Sequence, residues 1–222
     1  MELSKEQIRE YIVRRVAKEF KDGDIVTLGI GMPTEAANYL PEGVHISIQA
    51  ENGIVRCGPK PEAGKEDFHI TNAGGVNVTI LEGGAFFDSA LSFTIIRGGH
   101  IDTTVLGALQ VDEKGNLANY LIPGKFVPGM GGAMDLVVGA KKVIITMEHC
   151  VKDGSPKILK KCTLPLTAVG AVDLIITEKA VIKVMSDGLH LVEVSPYSSV
   201  EDVIASTEAD LIIDKDCKIL SL

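Results

Sequence analysis

Asp24-Ile25-Val26-Thr27-Leu28-Gly29-Ile30-Gly31-Met32-Pro33-Thr34 decides the fold. Residues 24–28 form a short run rich in apolar and β-branched side chains, which predicts a buried strand. The run enters a glycine-containing loop, and a short helical stretch then reaches Leu40. That is a strand, glycine loop, helix unit. Upstream, Ser4-Lys5-Glu6-Gln7 has the capping-box form, and Ile8, Ile12, Val16 and Phe20 follow at helical spacing. This predicts an amphipathic helix ending near Gly23. Downstream, apolar runs at 45–49, 103–106, 142–147 and 173–177 predict further strands, so βα units alternate along the chain. Two strand-like runs within 181–194 flank Ser186-Asp187-Gly188, the signature of a late β-hairpin. Ser199 then caps a helix to about Ser206, and 209–213 returns as a last strand. The expected fold is α/β: an open three-layer α/β/α arrangement with a mostly parallel sheet, in one domain over residues 1–222.

Composition limits what such a domain does. Lys and Arg number 22 against 30 Asp and Glu, a formal net charge of −8, and the basic residues form no cluster. Nucleic-acid partners are therefore not expected, because phosphate contacts need concentrated positive charge. Hydrophobic residues make up 45% of the chain and mean hydropathy is +0.22. Charges still interrupt every apolar stretch short of the roughly 18 residues that a membrane span needs. No membrane association is expected, and the charged N-terminus lacks the form of a signal peptide, so the expected location is the cytoplasm. The apolar surplus must be covered by helices on both sheet faces or by a partner. Cys57, Cys150, Cys162 and Cys217 are far apart with no Cys-x-x-Cys pair, which predicts free thiols.

Several chemistries are excluded by pattern. Gly29-x-Gly31 is followed by Thr34 where a dinucleotide fingerprint needs glycine or alanine. There is no phosphate-binding P-loop and no Gly-x-Ser-x-Gly elbow. His45, His69, His100, His149 and His190 stand singly without metal-ligand spacing, so no metal site is expected.

Two constellations remain. Gln49-Ala50-Glu51-Asn52-Gly53 lies at the end of an apolar strand, the edge of an open α/β sheet where ligands bind. Asn-Gly permits a sharp reversal that leaves Glu51 projecting. A surface glutamate beside a turn has the same spacing, and spacing alone favours that plainer reading. The second constellation runs from Pro123-Gly124-Lys125-Phe126-Val127-Pro128 through Gly129-Met130-Gly131-Gly132-Ala133-Met134-Asp135 into a helix-like run at 136–140. Glycine-rich backbone feeding a helix offers free N–H groups to a phosphate or a developing oxyanion. A merely packed loop reads equally well.

At these motifs the sequence resembles the B subunits of the family I CoA-transferases, the acetate, butyrate and 3-oxoacid group. Ala50-Glu51-Asn52-Gly53 stands where that family has Ser-Glu-Asn-Gly, and Ile96-Arg97-Gly98-Gly99-His100-Ile101-Asp102 is similar to its central segment. Leu106-Gly107-Ala108-Leu109-Gln110-Val111, Gly129-Met130-Gly131-Gly132-Ala133-Met134-Asp135-Leu136 and Lys161-Cys162-Thr163-Leu164-Pro165-Leu166-Thr167 are further blocks in matching order. Ala50 departs from the family serine and removes a hydroxyl beside the glutamate.

The resemblance implies a function as well as a fold. Glu51 is the implied nucleophile of a ping-pong exchange through a glutamyl-CoA thioester, and Gly132 the implied backbone donor to its oxyanions. Gly29, Ile30, Gly31, Met32 and Pro33 are implied to lie beside coenzyme A, with Asn52, Gly53, Asn119 and Gly131 shaping the site. Coenzyme A enters as substrate, and no tightly bound cofactor is expected. The implied partner is a homologous A subunit in an assembly such as α2β2, the active site lying between them. Met147-Glu148-His149-Cys150-Val151-Lys152-Asp153-Gly154 is most similar to the acetate or butyrate and acetoacetate enzymes. Ile176-Thr177-Glu178-Lys179-Ala180-Val181 equally resembles the succinate-dependent 3-oxoacid enzymes. A sugar-phosphate isomerase or deaminase on the shared fold, and a non-catalytic scaffold for an A-type subunit, are the competing readings.

Overall fold

The structure is a computed structural model and describes residues 3–125, 127 and 129–219. Helix α1 (Lys5–Ala17) opens the chain with the expected capping box. Ser4 accepts from the Gln7 N–H, and the Gln7 side chain accepts from the Ser4 N–H at 2.8 Å. The helix stops at Ala17, earlier than the Gly23 expected from spacing, yet Phe20 still packs with Ile12, Val13 and Val16 from the turn that follows.

Thirteen strands follow among the described residues: β1 (Ile25–Leu28), β2 (Ser47–Ala50), β3 (Ile54–Cys57), β4 (Ile80–Phe86), β5 (Thr103–Gly107), β6 (Gln110–Asp112), β7 (Leu117–Ala118), β8 (Val143–Thr146), β9 (Ile158–Leu159), β10 (Leu174–Ile176), β11 (Ala180–Met185), β12 (Gly188–Val194) and β13 (Leu211–Ile219). Helices α2 (Ser89–Arg97), α3 (Ala133–Gly139) and α4 (Val200–Ala205) lie between them. Met32–Tyr39 is a 3-10 helix rather than an α-helix. Ten strands form one sheet in the order β13-β12-β11-β10-β8-β5-β1-β2-β3-β4, and β7-β6-β9 form a small second sheet. The central run β10-β8-β5-β1-β2 is parallel throughout. Antiparallel strands flank it, among them the expected late hairpin β11-β12.

Why the central strands read as charge-free runs of apolar and β-branched residues follows from where their side chains go. Successive residues of a strand face opposite sides of a sheet. Ile144 of β8 and Leu174 and Ile176 of β10 pack with Ile12, Val13 and Val16 of α1. Their immediate neighbours Ile145 and Ile175 pack with Ile96 of α2, Leu136 and Val137 of α3, and Val203 of α4. Helices therefore cover both faces, which gives the three layers and leaves the strand ends as the places for polar chemistry. The buried polar pair Thr27 and Thr104 satisfies itself by a hydroxyl hydrogen bond of 2.7 Å between β1 and β5.

Candidate active site

Strand β2 enters the site buried, with Gln49 Nε2 donating to Ser92 Oγ of α2 at 2.8 Å. Residues 51–53 then reverse the chain into the antiparallel β3, Ala50 pairing with Ile54. Gly53 makes the reversal possible. Its φ is +113, its N–H donates to the Ala50 carbonyl at 3.0 Å, and an added Cβ would overlap the Phe87 carbonyl oxygen. Glu51 thus stands at the carboxyl end of a central strand, half-buried, on a turn held against the start of α2.

The glycine loop before α3 meets it there. Gly132, the residue that opens α3, donates its N–H to Glu51 Oε1 at 3.3 Å. A Cβ on Gly132 would sit 2.6 Å from Glu51 Oε2 and 2.8 Å from its carboxyl carbon, so the backbone approaches the carboxylate as closely as only glycine allows. Gly131, at φ +56, lies alongside, where a Cβ would be 3.9 Å from Oε1. Phe126 and Pro128 of the same constellation lie outside the described residues. Burial pushes the Glu51 carboxyl above its ordinary value, the Gly132 N–H opposes this, and the negative charge of Asp135 adds to the rise. A desolvated carboxylate with a backbone donor against one oxygen is suited to attack an acyl carbon and to share charge that develops on oxygen.

The other expected residues divide. Gly29 follows β1, whose register pairs Val26 with Ile48 of β2, so Gly29 and Glu51 leave adjacent strands at one level of the sheet. The Gly29 N–H donates to the Val105 carbonyl at 2.8 Å, and a Cβ there would lie 3.0 Å from Leu106 Cδ2. Ile30 is 75% exposed, Gly31 has φ +89 and accepts from Thr34 Oγ1, and Met32 and Pro33 begin the 3-10 helix. Asn52 is turned away to donate to the Thr71 carbonyl at 2.7 Å. Asn119 follows β7 and is bound to Thr167, accepting from its hydroxyl at 2.7 Å. The structure therefore gathers Glu51, Gly131 and Gly132, sets the 29–33 loop on the same sheet edge, and engages Asn52 and Asn119 elsewhere.

Asp135 and Arg97, which no sequence motif marks as site residues, also border the carboxylate's surroundings. Arg97 Nε donates to Asp135 Oδ1 at 2.6 Å, across 38 residues of chain. An acid in the first helical turn after a glycine loop was the available signal for Asp135; Arg97 had none, because its partner is distant in sequence. Among the described residues no group of three or more His, Cys, Asp or Glu is placed to hold a metal ion, and the four cysteines are free thiols. No helix among them is long and apolar enough to cross a membrane.

Comparison with known proteins bears on these features. The family described as coenzyme A transferase matches residues 9–206. The beta subunit of acetate CoA-transferase from Escherichia coli (strain K12) is 57% identical over 201 residues, which are 90% of this chain and 92% of that protein. The B-type chain of a probable succinyl-CoA:3-ketoacid coenzyme A transferase from Bacillus subtilis (strain 168) is 47% identical over 209 residues, 94% of this chain and 97% of that one. Among solved structures, an acyl-CoA transferase apoenzyme from Escherichia coli O157:H7 superposes on all of this chain with a TM-score of 0.77. Its sequence is 23% identical, so the likeness bears on fold alone, and this chain spans 44% of its length.

Proposed function

The chain belongs to the coenzyme A transferase family, and from that membership we propose that it is the catalytic B-type subunit of an enzyme that moves coenzyme A between short-chain carboxylic acids, with Glu51 as nucleophile. The observation that carries the proposal is the approach of the Gly132 N–H to the half-buried Glu51 carboxylate at the carboxyl end of β2.

In the proposed cycle a Glu51 oxygen attacks the carbonyl carbon of an acyl-CoA. The carbon–sulfur bond breaks, leaving a mixed anhydride and free CoA thiolate. The thiolate attacks the glutamyl carbonyl, the anhydride carbon–oxygen bond breaks, and a carboxylate departs from a glutamyl-CoA thioester. An acceptor carboxylate then runs the two steps in reverse. No net proton is consumed, and each intermediate is close in energy to the acyl derivatives that enter and leave. Each attack places negative charge on a carbonyl oxygen; when that carbonyl is Glu51's own, the Gly132 N–H already stands against its oxygen, and one such donor is worth about 3 kcal/mol. The 29–33 loop, on the same edge, is the proposed neighbour of coenzyme A.

Acetate or butyrate and acetoacetate are the preferred acids, supported by the 57% identity to a protein named as the beta subunit of an acetate CoA-transferase. A succinyl-CoA:3-oxoacid exchange is the second reading, supported by the 47% identity to a protein with a name of that kind. Both relatives are named as one subunit of an enzyme, which supports a homologous A-type partner. Initial rates of the complex, with acetyl-CoA and acetoacetate varied together, test the cycle. Parallel double-reciprocal lines and a loss of at least about 10³-fold in Glu51→Gln are expected. Intersecting lines, or a variant retaining most of its activity, would overturn it.

A further inference from the structure

Glu51 and Gly132 sit on different elements, 81 residues apart in sequence, and a bond of 3.3 Å joins them. Something must hold the two elements at that spacing. Helix α2 is packed against both. At its start, the Phe87 N–H donates to the Gly53 carbonyl at 2.9 Å, and Gly53 has room only for hydrogen against Phe87. One turn on, Ser92, fully buried, receives the Gln49 side chain two residues before the nucleophile. At its end, the Ile96 carbonyl lies so close to Gly139 of α3 that any Cβ there would overlap it. Arg97, the last residue of α2, donates to Asp135 in the first turn of α3, its guanidinium 5.5 Å from the Phe93 ring centre.

We propose that Arg97 and Asp135 are positioning residues for the reaction, their ion pair clamping the end of α2 to the first turn of α3 so that the Gly132 N–H stays aligned with the Glu51 carboxylate. The inference rests on the reading of Glu51 as nucleophile. Without the pair, Leu136, Val137 and Gly139 still hold the body of α3 against the core and Ile96, but its first turn, which carries Gly132, loses its side-chain tie to α2. A displacement of about 1 Å suffices to lower a rate up to 10²-fold. The pair also balances charge. Asp135 is the charged group of α3 that acts on Glu51, Arg97 of α2 stands behind it, and Asp88, at the other end of α2, is engaged in capping the Leu91 N–H. The Arg97 side chain is 66% exposed, so the pair contributes little to folding stability. Loss of Arg97 is accordingly expected to change the rate and leave the melting temperature nearly unaltered.

The test follows formation of a CoA adduct by rapid quench and intact mass, in the complex of this chain with its A-type partner, mixed with acetoacetyl-CoA. In Arg97→Met the adduct rate is expected to fall about tenfold while the half-saturating concentration stays within about twofold. Its acid limb moves to higher pH, because an unbalanced Asp135 charge opposes ionisation of Glu51. Asp135→Asn moves that limb to lower pH, and Arg97→Lys restores most of the rate. An Arg97→Met complex with the wild-type rate and pH profile would overturn the positioning role, as would shifts of both limbs in one direction. A wild type that forms no adduct, or one that Glu51→Ala also forms, would instead remove the nucleophile reading, and the positioning role with it.

Discussion

At the scale of single residues, the site turns on what glycine permits at position 132. A methyl group there meets the Glu51 carboxylate at 2.6 Å, so Gly132→Ala must displace either the acid or the donor. We expect Gly132→Ala to lose about 10²-fold or more in kcat, measured in the complex, with the chain still folded by circular dichroism. Glu51 itself is held at a cost. Burial raises its carboxyl above the ordinary value of 4.5, so the fold binds that proton more tightly than the unfolded chain does. The stability this lends is full below the unfolded value and is lost as pH rises through the raised one. Glu51→Gln, neutral throughout, is therefore expected to melt above wild type at pH 8, with the gap closing towards pH 4. A gap of the same size at both pH values would contradict this origin. Glu51 was visible in the sequence only as one of two readings, and resemblance raised it. Spacing cannot show that a glycine loop 81 residues away touches its carboxylate.

Among elements, legibility followed burial. Strands β1, β5, β8 and β10 are covered on both faces, so their sequences are short, charge-free runs of apolar and β-branched residues. Strands β3 and β4 escaped notice, because Ile54-Val55-Arg56-Cys57 is brief and carries a charge, while β4 is an exposed sheet edge interrupted by Gly83-Gly84. Helix α2 escaped as well. Its Ser89-Ala90-Leu91-Ser92-Phe93-Thr94-Ile95-Ile96-Arg97 is poor in strong helix formers, and packing against α3 decides its state. The cap Asp88 was its one local signal. Where α4 meets β10, His149 lies fully buried between Thr177 and Thr207, at 2.9 and 2.8 Å. Thr207 gives its own proton to the Val203 carbonyl and so accepts from Nε2–H, while the Thr177 hydroxyl stands between Nδ1 at 2.9 Å and the Ala180 carbonyl at 3.3 Å. Burial disfavours the charged ring and lowers its pKa from 6.5 to about 4. Stability from this contact is full above 6.5 and is lost as pH falls through the lowered value. Urea midpoints are expected to fall from pH 7 to pH 4 in wild type and to slope less in His149→Gln; equal slopes would reject the assignment.

For the whole molecule, the open three-layer arrangement and the family followed from the sequence, because βα alternation and ordered motif blocks are both written along the chain. Which surfaces remain open was not. Ile30, Val127 and Met134, on or beside the glycine loops, are 75%, 70% and 51% exposed, and Phe86 on the sheet edge is 60% exposed. Apolar side chains in such places fit a chain that works against a partner. The chain expressed alone is accordingly expected to show no CoA exchange, and to gain it when the A-type partner is added. Full activity of the lone chain would remove the need for a shared site. A covalent bond between Glu51 and coenzyme A is read without intermediary steps by intact mass. The complex incubated with acetoacetyl-CoA should show this chain heavier by one CoA less one water, the gain reversed by acetate and absent in Glu51→Ala. An unchanged mass in a complex that assembles and turns over, or an equal gain in Glu51→Ala, would contradict the account.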